Sequence, residues 1–330
     1  MSDKLPIVYS PGYNMTFMGI EKKHPFDSAK YGKAFDYLKQ YGILDGNNHY
    51  EPEGPITDEA LMRVHTKEYL DLIRSAKSIA AIAELPTLKT IPAFILRNRL
   101  LKPMRLGTQG SIMGIQLAWE KGWAINLAGG YHHAKGHFAH GFCFFSDIPL
   151  AAYHLMDQYP SMRIMVIDLD AHQGNGFEGV FKDDPRIINF DVYNGRIFPQ
   201  DTDAAQYIHY DFPIEPGTRT EEYIHLIRKE LPQALDKEKP DLVIYNAGSD
   251  IYAKDPLGGL SVSAEGIIAR DLFVFDEVFE KRNIPILKLL SGGYIRESYK
   301  VIGASIKNLV FKLDLPNKLD RGGSIPSETV

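Results

Sequence analysis

In the stretch "VIDLDAHQGNG" (166–176) an apolar run gives way to Asp168, Asp170 and His172, spaced by two. Extended backbone turns residues i, i+2 and i+4 to one side. The spacing therefore predicts two carboxylates and an imidazole on a common face. Buried carboxylates without partners cost several kcal/mol each, so positive charge is expected beside them. A divalent cation meets that need, with Asp170 offering oxygen, His172 nitrogen, and Asp250 of "YNAGSD" standing as the third candidate ligand. Three protein ligands leave a fourth position for water, the arrangement of catalytic zinc. Mixed N/O ligation without thiolate also admits Fe(II). The plainer alternative is that the acids cap the following helix or loop while hydrogen bonds satisfy His172. Against it, similar polar groups follow three other apolar runs.

"WAINLA" (123–128) leads into Gly129, Gly130, Tyr131, His132 and His133, and "DLVIYNA" (241–247) into "GSD" with Asp250. "IPILKLL" (284–290) runs into "SGGY", ending at Tyr294. Paired glycines permit a sharp turn and close backbone approach. An imidazole held there can act as general base on an activated water. The Tyr294 phenol can donate to a developing oxyanion, although a tyrosine opening the next helix and packing on the core would explain "SGGY" alone.

Placing these groups together requires a parallel sheet. "RIMVIDL" (163–169), "RIINFDV" (186–192) and the three runs above are short, apolar and β-branched, as strands are. Helical spacing fills the gaps: Tyr31, Phe35, Leu38 and Tyr41; Leu226, Leu231 and Leu235; Leu272, Phe275, Val278 and Phe279. Such alternation predicts an α/β fold with helices on both faces of the sheet, binding its ligand at the carboxyl ends of the strands. The 330 residues, 44% hydrophobic and 24% charged, supply a large core, and no internal repeat or long linker is visible. A formal charge of -5 argues against nucleic acid as an obligate partner. Cys143, the single cysteine, excludes an intrachain disulfide. Neither a signal-peptide layout nor an apolar run long enough to span a membrane is present, so a soluble cytoplasmic protein is expected, or a nuclear one in a eukaryote. The polar end "PNKLDRGGSIPSETV" reads as a flexible tail, giving one catalytic domain over 1–313 and a tail over 314–330.

In this order, "GGYHHA", "GFC", "DLDAHQGNG", "YNAGSDIYAKDPLGGLSVS" and "SGGY" resemble the zinc-dependent histone deacetylases. "PIVYSPGYNMTFMGIEKKHPFD", "GWAIN", "DVYN" and "GIIARDLFVF" bring the likeness closest to class IV, the histone deacetylase 11 type. It covers roughly residues 5 to 312. The resemblance implies the arginase/deacetylase fold with a mainly parallel eight-stranded sheet. It makes Asp170, His172 and Asp250 the ligands of one zinc ion, His132 and His133 the catalytic pair, and Tyr294 the carbonyl-polarising residue. Asp168 would orient His132 and join Asp191 and Val192, with main-chain oxygens of Asp170 and His172, in a structural potassium site. Asp191 stands where several relatives have serine. Gly141, Phe142, Phe198 and Leu257 match positions of the acyl-lysine tunnel, with Gly292 and Gly293 beside it; Asp255 matches a family acid with no ligand role. Asn175 stands behind His133 where some relatives have aspartate. A carboxylate raises an imidazole pKa far more than an amide does, so His132 is expected to carry charge and His133 to be the neutral base.

The implied activity is hydrolysis of acyl groups, acetyl or long-chain fatty acyl, from lysine in a protein or peptide. Acetylpolyamine hydrolysis uses the same chemistry but needs a rim carboxylate, for which Glu21, Asp27 and Glu84 are candidates. A two-metal arginase would need acids where Gly174 and Tyr252 stand. A non-catalytic acyl-lysine scaffold would be expected to lose ligands, base or Tyr294, and none is lost. Cys143 reads as a packed thiol, His137 and His140 as loop or rim residues, and His24 as an entrance residue. Oligomeric state is left open.

Overall fold

The computed structural model describes residues 4–15, 26–318 and 322–323; Glu21 and His24 lie outside them. Seven strands form one parallel sheet among the described residues: β1 (Ile7–Val8), β2 (Trp123–Asn126), β3 (Ile164–Asp168), β4 (Ile187–Asn194), β5 (Tyr210–Ile214), β6 (Leu242–Asn246) and β7 (Ile286–Leu289). Their order is β1-β2-β7-β6-β3-β4-β5. The α/β class expected from the alternating pattern is what the chain adopts, with one strand fewer than the eight implied. Beyond β1 the edge is reduced to Tyr50, whose N–H donates to Ile7 O at 2.9 Å and whose carbonyl accepts from Tyr9 N–H at 3.0 Å. Pro52 follows two residues later and has no N–H to extend that ladder.

Every strand except the edge strand β5 is buried at each position, so both faces are covered there and the strands read as runs rather than as alternation. In β3, Met165 and Ile167 join a core layer with Leu38, Tyr223 and Phe275, while Ile164 and Val166 join the opposite layer with Ile115, Leu155 and Phe181. A third apolar cluster, including Leu61, Leu70, Ile79, Leu96 and Phe144, lies in the segment ahead of β2 and the loop after it. The helix Lys102–Lys121 is seated closely on the sheet through glycines: a Cβ on Gly114 would collide with Leu287 of β7. No helix among the described residues is long and apolar enough to cross a membrane.

From β3 the chain builds outward through β4 and β5, then returns to place β6 on the other side of β3. The carboxyl ends of β3 and β6 therefore border the point where the winding reverses, the position at which such sheets leave a crevice.

Candidate active site

Beyond Asp168 the backbone leaves the sheet, so the same-side placement expected from an extended chain is achieved differently. Asp168 Oδ1 accepts from the N–H of Asp170 at 3.0 Å, and Asp170 Oδ1 from the N–H of His172 at 3.0 Å. Each carboxylate ties down the backbone two residues on, as aspartates do in turns. The loop after β6 delivers Asp250, whose Oδ1 accepts from Ala171 N–H at 2.9 Å. Asp170, His172 and Asp250 are buried and present ligand atoms all within 4.8 Å of one another. His172 Nδ1 lies 2.9 Å from Asp250 and 3.1 Å from Asp170. The loop after β7 closes the group: Ser291 Oγ and Gly292 N–H both donate to Asp170 Oδ2 at 2.8 Å. A Cβ on Gly292 would overlap both carboxylates, so only glycine lets that backbone in.

Two carboxylates this close repel. Burial, then Asp170, push the Asp250 carboxyl up to about 7. Burial also works against Asp170, but the neighbouring imidazoles of His132 and His172 hold it well below the usual carboxylate range. On His172 burial is outweighed by hydrogen bonds to Asp170 and Asp250, which lift it to about 10. Two acids and one imidazole, converging and sealed from water, fit a divalent ion in both donor chemistry and charge.

His132 and His133 follow a turn made possible by positive φ at Gly129 (78°) and Gly130 (81°). Asp147, at the start of the helix Asp147–Met156, pins that turn by accepting from Gly130 N–H (2.9 Å), Tyr131 N–H (2.7 Å) and Ser111 Oγ (2.6 Å). The two imidazoles are buried with ring centroids 4.1 Å apart. Nδ1 of His132 is 2.8 Å from Asp168, and Nδ1 of His133 is 2.9 Å from the amide oxygen of Asn175. Burial opposes charge on both rings. Asp168 and Asp170 outweigh it for His132, which rises to about 9. Nothing outweighs it for His133, where His132 and His172 add to the effect and the pKa falls well below its ordinary value. Their surroundings thus favour charge on His132 and oppose it on His133.

Tyr294 stands with its ring 5.9 Å from His172 and 5.9 Å from Phe142. Burial, then Asp250 and Asp170, push its phenol well above 10, so it stays a hydrogen-bond donor. Two residues without a role at the level of sequence hold its loop. Asp255 accepts from Tyr294 N–H at 2.7 Å and from Leu257 N–H at 3.0 Å, joining the Asp250 loop to the Tyr294 loop. Lys30, fully buried, donates from Nζ to the carbonyls of Ser291 (2.6 Å) and Gly292 (3.1 Å), its pKa pulled down to about 8 by burial.

A cavity of about 920 Å³, mouth included, opens beside these groups. Gly141, Phe142, Tyr294 and Gly292 line it near the histidines; Leu85, Leu88, Leu96, Leu100 and Met104 continue it as an apolar recess. Phe198 lies outside that lining but close to His133, 42% exposed with its ring 5.1 Å from that imidazole. Leu257 is exposed and off the lining, and Gly293 (φ 130°) packs on Ser249 instead. The matched tunnel positions are therefore only partly brought together.

Asp191 pairs in register with Asp168, and its Oδ2 accepts from Gly174 N–H at 2.9 Å. Its Oδ1 and both oxygens of Glu178 are buried, and burial with repulsion from Asp168 raises both carboxyls, so that a proton on one can be donated to the other; Val192 follows in β4. Burial raises Glu178 to about 8. Glu178 escaped the sequence reading because nothing in "GFEG" marks an acid on the buried side of a short helix. His140, read as a loop or rim residue, stands 5.6 Å from His133 and 3.2 Å from the Asn175 amide nitrogen.

The histone deacetylase domain family matches residues 24–309. Histone deacetylase 2 of Arabidopsis thaliana is 42% identical over 307 residues, covering 93% of this chain and 79% of that protein. Human histone deacetylase 1 is 26% identical over 313 residues, covering 90% of this chain and 62% of that protein. Among solved structures, the HDA15 HD domain matches with a TM-score of 0.73 at 19% identity, over 98% of this chain and 92% of that one, a likeness of fold. The chain belongs to the histone deacetylase family.

Proposed function

We propose that the protein is a zinc-dependent lysine deacylase whose catalytic domain spans residues 1–313. The observation that carries this is the convergence of buried Asp170, His172 and Asp250 beside the His132–His133 pair, which together with Tyr294 lines an apolar cavity. Asp170, His172 and Asp250 would hold the zinc, whose positive charge would polarise the scissile carbonyl and acidify a water molecule. Neutral His133 takes the proton from the attacking water and returns it to the departing lysine amine. His132, charged against Asp168, adds positive potential, and the Tyr294 phenol donates to the oxyanion. Phe142 and Phe198 flank the lysine stem. Potassium at Asp168, Asp191 and Val192, with Glu178 facing it, would neutralise the acids behind the catalytic pair.

Within the family we place the chain with class IV, on the motifs quoted above, and assign it long-chain as well as acetyl substrates. The apolar recess from Leu85 to Met104 supports the longer chains: each methylene buried contributes roughly 0.8 kcal/mol. An acetylpolyamine is less well served. No described residue lining the cavity is acidic, Arg99 there is basic, and Asp27 is paired with Lys33 at 2.5 Å, which leaves exposed Glu84, between the lining residues Ala83 and Leu85, as the one described rim candidate. The test is a series of lysine peptides from acetyl to myristoyl, with acetylated polyamines alongside, each with and without a zinc chelator. Chelator-sensitive hydrolysis rising with chain length is expected; preference for an acetylpolyamine would overturn the substrate assignment.

A further inference from the structure

We infer that Asp201 is a positioning residue for this site: anchored by Lys135, it fixes the Asn175 amide with its oxygen toward His133, and so decides which nitrogen of His133 is free to take a proton. The inference rests on the assignment of His133 as the base.

An amide has two unlike ends, and next to an imidazole either can be presented. Here Asn175 Oδ1 is 2.9 Å from His133 Nδ1, while Nδ2 donates to Asp201 Oδ2 at 3.0 Å. A carboxylate accepts and cannot donate, so turning the amide over would set its oxygen against that of Asp201. It would also aim N–H groups at His133 Nδ1, forcing the imidazole proton onto Nε2 and leaving no lone pair to act as base. With the oxygen inward, Nδ1 must carry the proton and Nε2 stays free.

Asp201 is itself held on every side. Lys135 Nζ lies 2.6 Å from the same Oδ2, and Gln173 clasps the Asp201 backbone, accepting from its N–H at 3.0 Å and donating to its carbonyl at 3.1 Å. Oδ1 caps the short helix Thr202–Ala205 by accepting from Ala204 N–H at 3.0 Å. Burial would raise this carboxyl, but Lys135 and Asn175 outweigh it and hold it at about 2, ionised throughout the working range. His140 Nε2, 3.2 Å from Asn175 Nδ2, is a second acceptor for the same N–H₂ group. An aspartate at 175 would need none of this, because either of its oxygens accepts. Asn175 and Asp201 thus form a split device, with the neutral partner touching the base and the charge kept one residue further back.

That difference supplies the test. Asp201→Ala should lower kcat on the order of 10- to 100-fold, as loss of an outer partner does, with KM nearly unchanged. In an Asn175→Asp background a second carboxylate oxygen faces Asp201 Oδ2 where the amide nitrogen stood, so the same substitution should leave kcat unchanged or raise it, a non-additivity that signals coupling. Equal losses in both backgrounds would mean Asp201 only caps its helix, and would overturn the inference. Nitrogen-15 NMR of histidine-labelled protein reads the tautomer directly and without turnover. His133 should be Nδ1–H in the wild type and mixed in Asp201→Ala. An Nε2–H wild type, or an unchanged Nδ1–H variant, would also overturn it. If Asp201→Ala fails to fold, Asp201→Asn keeps the capping oxygen, and the same two comparisons apply. A wild type inactive on every acyl-lysine peptide would count against the proposed function instead, and would leave the tautomer readout intact.

Discussion

Tyr294 is the residue whose contribution a single atom should reveal. Its backbone is held by Asp255 at 2.7 Å, so Tyr294→Phe removes the hydroxyl and leaves the loop in place. On the proposed mechanism kcat should fall roughly 10²- to 10³-fold, as on loss of one oxyanion donor. Steady-state kinetics on an acyl-lysine peptide should show KM close to wild type, and retained kcat would remove Tyr294 from the chemistry. The His133 pair gives a pH prediction with a definite sign. A base works when neutral, and burial with two neighbouring imidazoles holds His133 well below its ordinary value, so wild-type activity should persist below pH 6. Asn175→Asp puts a carboxylate behind the ring, raises its pKa, and should move the acid limb of kcat/KM upward. A limb that stays put would show that another group sets it. At this scale the sequence was legible wherever chemistry lay in a short motif, as with Asp170 and His172. Lys30 and Asp201 were hidden because their partners, Ser291 and Asn175, are close only after folding.

The elements show the same division. Five strands could be read because full burial makes them continuous apolar runs. β1 is only two residues long, and β5 lies at the sheet edge, half exposed in alternation with Pro213 inside it, so neither carries that signal. Nor did periodicity show what the helix Ala264–Phe275 does for the centre. Its Arg270 is fully buried and donates from one nitrogen to Leu169 O (2.9 Å) and Gly248 O (2.7 Å), the residues just before Asp170 and two before Asp250. Asp271 holds the guanidinium, and Lys288 and Tyr245 hold Asp271 in turn at 2.8 and 2.5 Å. One helix thereby clamps the β3 and β6 loops that bring the acids together. Arg270→Met leaves two carbonyls and Asp271 short of a partner, and breaking such a buried pair costs about 3–5 kcal/mol. Beyond the lower melting temperature, zinc affinity by chelator competition should fall roughly 10- to 100-fold. Unchanged zinc affinity in a destabilised variant would reduce Arg270 to a core residue.

For the molecule as a whole, the winding that ends β3 and β6 side by side concentrates acid where water cannot reach, and this makes stability depend on the ion. The Asp250 carboxyl sits at about 7, above the ordinary unfolded value near 4. An acid raised on folding favours the folded chain at low pH, and that stability is lost as pH rises through its folded pKa. His172, raised to about 10, acts in the same direction: its stabilisation is complete below the unfolded pKa near 6.5 and fades as pH climbs toward 10. Below about pH 6.5 the neutral, buried His65, His133 and His140 act in the opposite sense, so with zinc chelated the melting temperature should decline from about pH 6.5 to pH 8, where only the raised groups still titrate. Zinc reverses this trend because it binds the deprotonated ligands and binds them more tightly as pH rises. At a free concentration about a thousandfold above its dissociation constant, it adds roughly 4 kcal/mol. The gap between the zinc-loaded and chelated melting curves should accordingly widen across that interval. It should collapse in Asp170→Asn, where the repelling pair is gone and one ligand with it. A gap that stays constant with pH in the wild type would mean that these three side chains do not share an ion.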